Sequence, residues 1–407
     1  MKQRILYKNI WSKVSKFKSM IFLAGPRQVG KTTLAKIIAK DFNNSLYFNY
    51  DIIDNKKKLI DNPFFYEEVN RKDSSKPLII FDEIHKYNDW KNYLKGVYDR
   101  DSENFIFLIL GSGRLNIYKK GGDSLAGRYI LFHIWPFTIS ELSYKNRDLK
   151  RFLSNVIDME KIHTTNINIT DWKKLSKFSG FPDPFIKADN DFYNIWSKNY
   201  KHQLLREDIQ DIIQVKKADQ ISILLSLIPS RIGSPLSIDN LARDISVSFD
   251  SVKNWLTIFE NFFLIFFVPP WSKKISRSIS AQQKIYLMDY AGIESKGARF
   301  ENMIALELYR AVNTWNDQGL GSFSLHYIRN KEKEEIDFLI AENNKPLFMI
   351  EAKLSDKIPS KEIYKFQKIL NIPAIQLVNK NNIFKYYSNG DEKILVISAH
   401  QWLSKLP

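Results

Sequence analysis

A glycine-rich turn near the start of the chain carries residue types that bind phosphate. Residues 25–32 read Gly25-Pro-Arg-Gln-Val-Gly30-Lys31-Thr32 and follow the apolar segment MIFLA. The glycines let backbone amides surround a phosphate, Lys31 can reach the β and γ oxygens, and the Thr32 hydroxyl can bind magnesium. The sequence therefore predicts an ATP site whose contacts are Gly25, Gln28, Gly30, Lys31, Thr32 and Thr33.

Two acids further along complete this chemistry. The segment LIIFDE ends in Asp82 and Glu83. We expect Asp82 to hold Mg²⁺ together with Thr32, and Glu83 to polarise the water that attacks the γ-phosphate. Two later residues are candidates for contact with that phosphate. Ser112 could sense it, although a simple turn serine explains this position equally well, and Arg128 has the character of an arginine finger.

A third charged group lies near the other end of the chain, in EIDFLIAENNKPLFMIEAK. Asp337 and Glu351 are far enough apart for two neighbouring strands and a turn, while Glu351 and Lys353 differ by two positions and share one strand face. Carboxylates converging on magnesium, with a lysine beside a metal-bound water, suit attack on a phosphodiester. The predicted metal ligands are Glu301, Asp337 and Glu351, and the predicted catalytic lysine is Lys353.

The elements that must position these residues follow from hydrophobic periodicity. In the first third, the apolar segments MIFLAG, SLYFNY, PLIIFDE and NFIFLILGS alternate with helical patterns that begin at Lys31, near 63–71 and near 90–98. This alternation predicts a parallel sheet with helices on both faces. Residues 171–211 then favour helices, which suits a helical lid over the nucleotide.

The segment 235–289 predicts a helix, a tight turn, a second helix over about 248–260 and a basic two-stranded wing. Ser237 suits the N-cap of the first helix, and the second helix has one apolar face. A winged helix of this kind can place its second helix in a DNA major groove while the wing meets phosphates, although winged helices also bind proteins. The predicted DNA contacts are Lys253 and Asn254 on the second helix and Lys273, Lys274 and Arg277 on the wing, which also carries Lys284.

From residue 297 onward the pattern is a helix followed by three strands. With Glu301, Asp337, Glu351 and Lys353 in their places, this region resembles the core of the PD-(D/E)XK nucleases. Many domains of that fold bind DNA without cutting it. The resemblance therefore implies a DNA-facing domain and leaves cleavage open.

Several motifs together resemble a larger family. They are GPRQVGKTTLAK, IIFDEIHKYNDWKNYLKGVYD, LGSGRLN, SLAGRYILFHIWPFTISEL and FSGFPDPF. The combination is similar to archaeal and bacterial AAA-type ATPases whose ATPase domain precedes a C-terminal region of uncharacterised function. Such proteins usually have Gln where this chain has His85, and a serine-rich loop where it has Gly113-Arg114. The resemblance implies an AAA-like ATPase that acts on DNA or in a DNA-linked pathway.

Composition sets the class of protein. The chain has 407 residues, no cysteine, and 61 basic against 45 acidic residues, a formal charge of +16. This excess of positive charge favours a polyanionic partner, although an AT-rich genome, which enriches lysine together with isoleucine and asparagine, explains it equally well. No apolar run reaches the roughly 18 residues that a membrane span needs, and the basic, polar N-terminus lacks the apolar stretch of a signal peptide, so we expect a cytoplasmic protein without membrane contact.

These observations predict an α/β fold in four parts. They are a P-loop AAA+ parallel-sheet domain (1–150), a helical lid (151–220), a winged helix-turn-helix (221–292) and a restriction-endonuclease-like α/β domain (293–407). We expect an ATP- and Mg²⁺-dependent ATPase that binds duplex or branched DNA and remodels or migrates it. An arginine finger at Arg128 suits a homo-oligomer whose neighbours share sites, although Arg128 could also act within its own chain. The alternative is a nucleotide-gated regulator or adaptor that binds DNA or a protein without motor or nuclease activity.

Overall fold

The chain divides into two compact units, Met1–Trp135 and Pro136–Pro407. The structure is a computed structural model that describes residues 4–111, 125–144, 146–158, 169–209, 218–272, 282–355, 357–390 and 392–407. Within those ranges, no helix is long and apolar enough to cross a membrane.

The first unit is built on a five-stranded parallel sheet. Its strands stand in the order β2-β3-β4-β1-β5, and every neighbouring pair is parallel. The strands are β1 (Met20–Ala24), β2 (Ser45–Asn49), β3 (Leu78–Asp82), β4 (Ile106–Gly111) and β5 (Ile130–His133). All residues of β1 and β3 are buried, as continuous apolar strands of a covered parallel sheet should be. The predicted α/β class with a parallel sheet is thus confirmed.

Among the described residues of this unit, four α-helices accompany the sheet: α1 (Ile5–Val14), α2 (Lys31–Ala39), α3 (Ile53–Asp61) and α4 (Trp90–Asp101). The helix expected near 63–71 is wrong, since α3 ends before it and only a short 3₁₀ turn, Phe65–Glu68, follows. The reason is local, because Pro63 forces the preceding residue out of the helical region, and Asn62 is extended. Phe65 and Tyr66 are then buried in the aromatic core beside Phe81.

The second unit begins with helices. They are α5 (Ile139–Leu142), α6 (Leu149–Ser154), α7 (Ile169–Phe178), α8 (Pro182–Lys187), α9 (Asn190–Gln203), α10 (Ala218–Leu227), α11 (Ile238–Asp244) and α12 (Phe249–Asn261). The helices predicted over residues 171–211 are thus present in the described part of that range, and α9 passes into a π-helical segment, Leu204–Ile209.

The segment from α11 to α12 follows its sequence pattern closely. Ser237 caps α11 by accepting a hydrogen bond from the Asn240 amide at 3.3 Å, and Ser248 caps α12 by accepting from the Ser251 amide at 3.2 Å. A strand pair follows, β6 (Ile265–Val268) and β7 (Lys284–Leu287), which run antiparallel.

A six-stranded sheet with α13 (Lys296–Asp317) forms the rest of the second unit. Its strands are β8 (Phe323–Arg329), β9 (Glu335–Glu342), β10 (Lys345–Lys353), β11 (Ala374–Val378), β12 (Phe384–Asn389) and β13 (Glu392–Ser398), with α14 (Lys361–Leu370) and α15 (Ala399–Leu403). The order is β12-β13-β11-β10-β9-β8. The predicted helix and three strands are present, with β8, β9 and β10 as an antiparallel meander.

The strand pair β6–β7 is joined to this sheet and its helix. After β6, Trp271 donates its amide to the Tyr327 carbonyl at 2.7 Å, and the Tyr327 amide donates to Pro269 at 3.1 Å. On β7, the Leu287 amide and carbonyl both bond to the Asn302 side chain of α13, each at 2.8 Å. The two strands therefore lie against the sheet and α13 rather than projecting freely.

Candidate functional site

The glycine-rich turn lies between β1 and α2 and has backbone angles that favour glycine. Gly25 has φ 157° and Gly30, the residue before α2, has φ 96°. A Cβ on Gly25 would lie 2.2 Å from the Ile134 carbonyl oxygen, so only glycine fits against the chain that leaves β5. Gln28 also has a positive φ, 59°, at the tip of the turn. The turn thus presents backbone amides at a helix N-terminus, where phosphate binds favourably.

Lys31 lies under this turn in the first turn of α2. Its buried ammonium donates to the carbonyls of Gly25 at 3.0 Å and Pro26 at 2.7 Å. The charge is therefore held at the mouth of the turn, beside the backbone that would surround a phosphate. Thr33 follows on α2 and is half-buried.

Thr32 and Asp82 meet across the carboxyl edge of the sheet. The Thr32 hydroxyl donates to Oδ2 of Asp82 at 2.7 Å, and the Tyr47 hydroxyl donates to the same oxygen at 2.8 Å. Burial raises the pKa of Asp82, while the two hydroxyl donors lower it. A hydroxyl and a carboxylate side by side are oxygen ligands of the kind that Mg²⁺ takes.

Glu83 follows β3 with φ 58°, a strained angle for a residue with a Cβ. Its carboxylate lies 3.5 Å from Nε2 of the buried His85 and 3.4 Å from Nζ of Lys86, which also pairs with Asp51 at 2.7 Å. Two side chains of the next turn therefore orient Glu83. His85 therefore lies directly beside the predicted catalytic acid.

The remaining predicted residues of the first unit are only partly accounted for. Arg128 makes a bidentate pair with Asp99 of α4, with Nε to Oδ1 at 2.7 Å and Nη2 to Oδ2 at 3.0 Å. This pair is half-exposed, so solvent screens the attraction between its two charges. The role of Arg128 stays a prediction, and Ser112 lies outside the described residues.

In the second unit, three predicted acids and one unpredicted acid lie close together. We call Glu301, Glu335, Asp337 and Glu351 the acidic cluster. Pairing of Ile350 with Phe338 puts Glu351 beside Asp337 on the neighbouring strand, and Oδ2 of Asp337 accepts from the Ala352 amide at 2.9 Å. The expected shared face of Glu351 and Lys353 is present, because Nζ of Lys353 lies 2.7 Å from Oε1 of Glu351.

An internal cation lies inside this cluster. The ammonium of Lys284 is 2.6 Å from Glu335, 3.1 Å from Glu301 and 3.4 Å from Asp337. The side chain is fully buried, with 0% of its surface exposed, so the expectation that Lys284 belongs to a phosphate-contacting wing is wrong. Burial lowers the pKa of Lys284, but the three carboxylates outweigh it and the pKa is raised.

The carboxyl groups of the cluster are correspondingly perturbed. Burial raises the pKa of Glu301 to about 7 and that of Glu351 to about 8, with a further rise in each from the Asp337 charge. Tyr286 donates its hydroxyl to Glu301 at 2.7 Å. The described residues contain no group of three or more His, Asp or Glu side chains arranged to hold a metal ion.

Only two of the five predicted DNA-contacting residues lie in the described part of the chain. Lys253 and Asn254 lie on the exposed face of α12, opposite the buried Val252, Trp255 and Leu256. Lys273, Lys274 and Arg277 lie outside the described residues.

For three residues of these sites, the sequence analysis missed the position that the structure shows. Tyr47 lies two positions before Asn49, the residue that pairs with Asp82, and period two could have placed it on the same side of the sheet. Glu335 precedes Asp337 by two positions on β9, so the same period of two could have placed both side chains on one face of the strand. Lys284 had no local signal, because only the fold brings β7 to the acids.

Comparisons with known proteins agree with the geometry of the first unit. Residues 17–143 match the family model of an AAA domain, while residues 169–293 and 296–401 match two domains of unknown function, DUF8612 and DUF4143. An uncharacterized protein of Methanocaldococcus jannaschii is 26% identical over 403 residues, covering 94% of this chain and 86% of that protein. An uncharacterized protein of Mycobacterium tuberculosis is 22% identical over 335 residues, covering 80% of this chain and 68% of that protein.

Among solved structures, a Walker-type ATPase of Pyrococcus abyssi is 12% identical, with a TM-score of 0.44 over 71% of this chain and 94% of that one. The AAA family match covers the turn, Lys31, Thr32, Asp82 and Glu83, whose geometry is that of a nucleotide site. Residues 17–143 therefore form an AAA-type P-loop ATPase domain, and two domains of unknown function follow it.

Proposed function

We propose that this ATPase binds DNA and couples ATP hydrolysis to remodelling or migration of duplex or branched DNA. ATP hydrolysis is supported by one contact above all, that of Thr32 with Asp82 at 2.7 Å. This contact lies at the carboxyl edge of a parallel sheet, next to the glycine-rich turn. In a parallel sheet with helices on both faces, ligands bind at the carboxyl edge, beside the point where the connections from neighbouring strands run to opposite faces of the sheet.

Each side chain of the nucleotide site has a task that its contacts support. Lys31 is already a donor to two carbonyls of the turn and can extend the same ammonium to phosphate oxygens. Thr32 and Asp82 would hold Mg²⁺, which neutralises charge on the β- and γ-phosphates when bound. Glu83 would orient the attacking water, with His85 and Lys86 fixing its carboxylate.

Support for DNA as the partner comes from charge and from α12. The formal charge is +16, and α12 turns Lys253 and Asn254 outward while its other face is buried. A capped second helix with this exposed face, after α11 and a short turn, has the form of a winged-helix recognition helix. The basic residues Lys273, Lys274 and Arg277, just beyond β6, would meet phosphates.

The test is ATP turnover with and without nucleic acid. We expect single-stranded, duplex or four-way DNA to accelerate turnover severalfold, and Glu83→Gln to abolish turnover while ATP binding persists. If every DNA leaves the rate unchanged while Glu83→Gln is inactive, the chain hydrolyses ATP without acting as a DNA motor.

A specific feature favours a second candidate, a nucleotide-gated adaptor that binds a protein. An open groove of about 530 Å³ lies beside α12 and is lined by Ile238, Phe249, Leu256 and Phe267, among others. Phe249 is 42% exposed, which is high for a phenylalanine. Replacing Phe249 with Ser would weaken a protein partner in the groove and leave DNA-stimulated turnover intact, which separates the two candidates.

A further inference from the structure

The acidic cluster at the ends of β9 and β10 has the residue types of a divalent-metal site. One observation favours a metal, because Oε2 of Glu351 is buried and has no hydrogen-bond partner among the described residues. Another opposes it, because Glu301, Glu335 and Asp337 already share the ammonium of Lys284. A divalent ion bound by Asp337 and Glu301 would have to enter the volume that this ammonium fills.

The position of Lys284 is fixed by its backbone as well as its charge. Lys284 pairs with Val268 of β6 on one side and forms a bridge with Pro235 on the other. Three residues later, Leu287 is held by the Asn302 side chain through both its amide and its carbonyl. The backbone of Lys284 is therefore held between two neighbouring chain segments, with its side chain starting next to the acidic cluster.

Other side chains and one loop also pack around the carboxylates and the Lys284 ammonium. Tyr286 bonds to Glu301, and the ring of Tyr327 lies with its centre 5.5 Å from the Lys284 nitrogen. A Cβ on Gly233 would lie 2.8 Å from Oε2 of Glu301, so the loop before α11 packs tightly over that carboxylate. The residues therefore do not fit a divalent metal in this arrangement.

We infer that Lys284 is a built-in replacement for the metal ion of this acidic cluster, and that the C-terminal sheet region performs no metal-dependent cleavage. The ammonium satisfies three carboxylates at once and also ties β7 to α13 and β9. The inference is independent of ATP hydrolysis and of DNA-stimulated turnover, and either could fail without affecting it.

Binding of Mn²⁺ to the nucleotide-free full chain, followed by electron paramagnetic resonance, tests this inference. All samples carry Asp82→Asn, which removes the carboxylate of the nucleotide site. We expect the chain with Lys284 to bind no Mn²⁺ that depends on Asp337. We expect Lys284→Met to gain one Mn²⁺ site per chain, and the added change Asp337→Asn to remove it. Lys345→Met, at an exposed lysine of β10, is the matched control and should gain none.

Two results would overturn the inference. One is Mn²⁺ bound by the chain with Lys284 and lost with Asp337→Asn, since the ammonium would then not exclude a metal. The other is a folded Lys284→Met variant that gains no site. If Lys284→Met does not fold, the chain with Lys284 still decides the matter, together with nicking of plasmid DNA in Mn²⁺, which we expect to be absent.

Discussion

Glu307 provides a quantitative test of the packing between α13 and the segment that enters the second unit. The carboxylate is buried and accepts the amides of Ile139 and Ser140 at the start of α5. Burial raises its pKa from the ordinary 4.5 to about 7, against the lowering effect of those amides and of Arg310. Tyr290 is the other titratable group that senses this charge.

The direction of the pH effect follows from linkage. A carboxyl group whose pKa is higher in the folded chain binds its proton more tightly there, so it stabilises the fold below pH 4.5 and loses that contribution as pH rises towards 7. Because one pKa unit corresponds to about 1.4 kcal/mol, the contribution of Glu307 amounts to about 3 kcal/mol. Most of it is lost between pH 5 and pH 8.

Glu307→Gln isolates this effect, because the amide cannot ionise but still accepts from the Ile139 amide. Urea unfolding of both proteins, followed by tryptophan fluorescence at pH 5 and pH 8, gives the difference in free energy of unfolding at each pH. We expect that difference to move in favour of the Gln variant by about 2 to 3 kcal/mol on going to pH 8. Other carboxyl groups titrate alike in both proteins and cancel. An equal difference at the two pH values would refute the reasoning.

Three further outcomes follow from the site geometry. Tyr47→Phe removes a donor to Asp82, and we expect it to raise the Mg²⁺ concentration for half-maximal ATP turnover by about tenfold, with Tyr50→Phe as a control in a magnesium titration. Gly25→Ala should abolish ATP binding in calorimetry because its Cβ meets the Ile134 carbonyl at 2.2 Å, whereas Gly96→Ala, with open space in α4, should retain it. Lys253→Ala should reduce the slope of log affinity for duplex DNA against log salt by about 0.9, and an unchanged slope would remove α12 from the interface.

The nucleotide site was largely predictable because its parts are local. The turn, Lys31 and Thr32 lie within eight consecutive positions, and Asp82 ends a strand whose apolar pattern is plain. Tyr47 was missed because its contact depends on the register of β2 against β3, which no local pattern specifies. The turn at 65–68 was misjudged because the effect of Pro63 on the residue before it was not weighed, and Asn62 is extended there.

The acidic cluster, in contrast, was predictable in the position of its residues but not in its chemistry. The strands β9 and β10 and the face shared by Glu351 and Lys353 follow from period two, so four of the expected charged residues lie near one another. Their chemistry did not follow, because Lys284 arrives from a strand about fifty residues upstream of Asp337, through contacts of β7 with α13. A lysine in a short basic stretch is typical of an exposed wing, and only its burial among three acids changes that interpretation.

The energetics of burial explain why the cation among these acids is Lys284 and not a metal ion. An ammonium buried without partners is strongly unfavourable, and so is a group of buried carboxylates without a cation. Each half of the cluster therefore stabilises the other, and removal of either partner of such a buried pair costs about 3 to 5 kcal/mol. A metal ion could serve the same purpose for the acids, but it would leave Lys284 as an uncompensated buried charge. The chain can accommodate one cation in this space, and the backbone contacts of β7 favour the one that is covalently part of it.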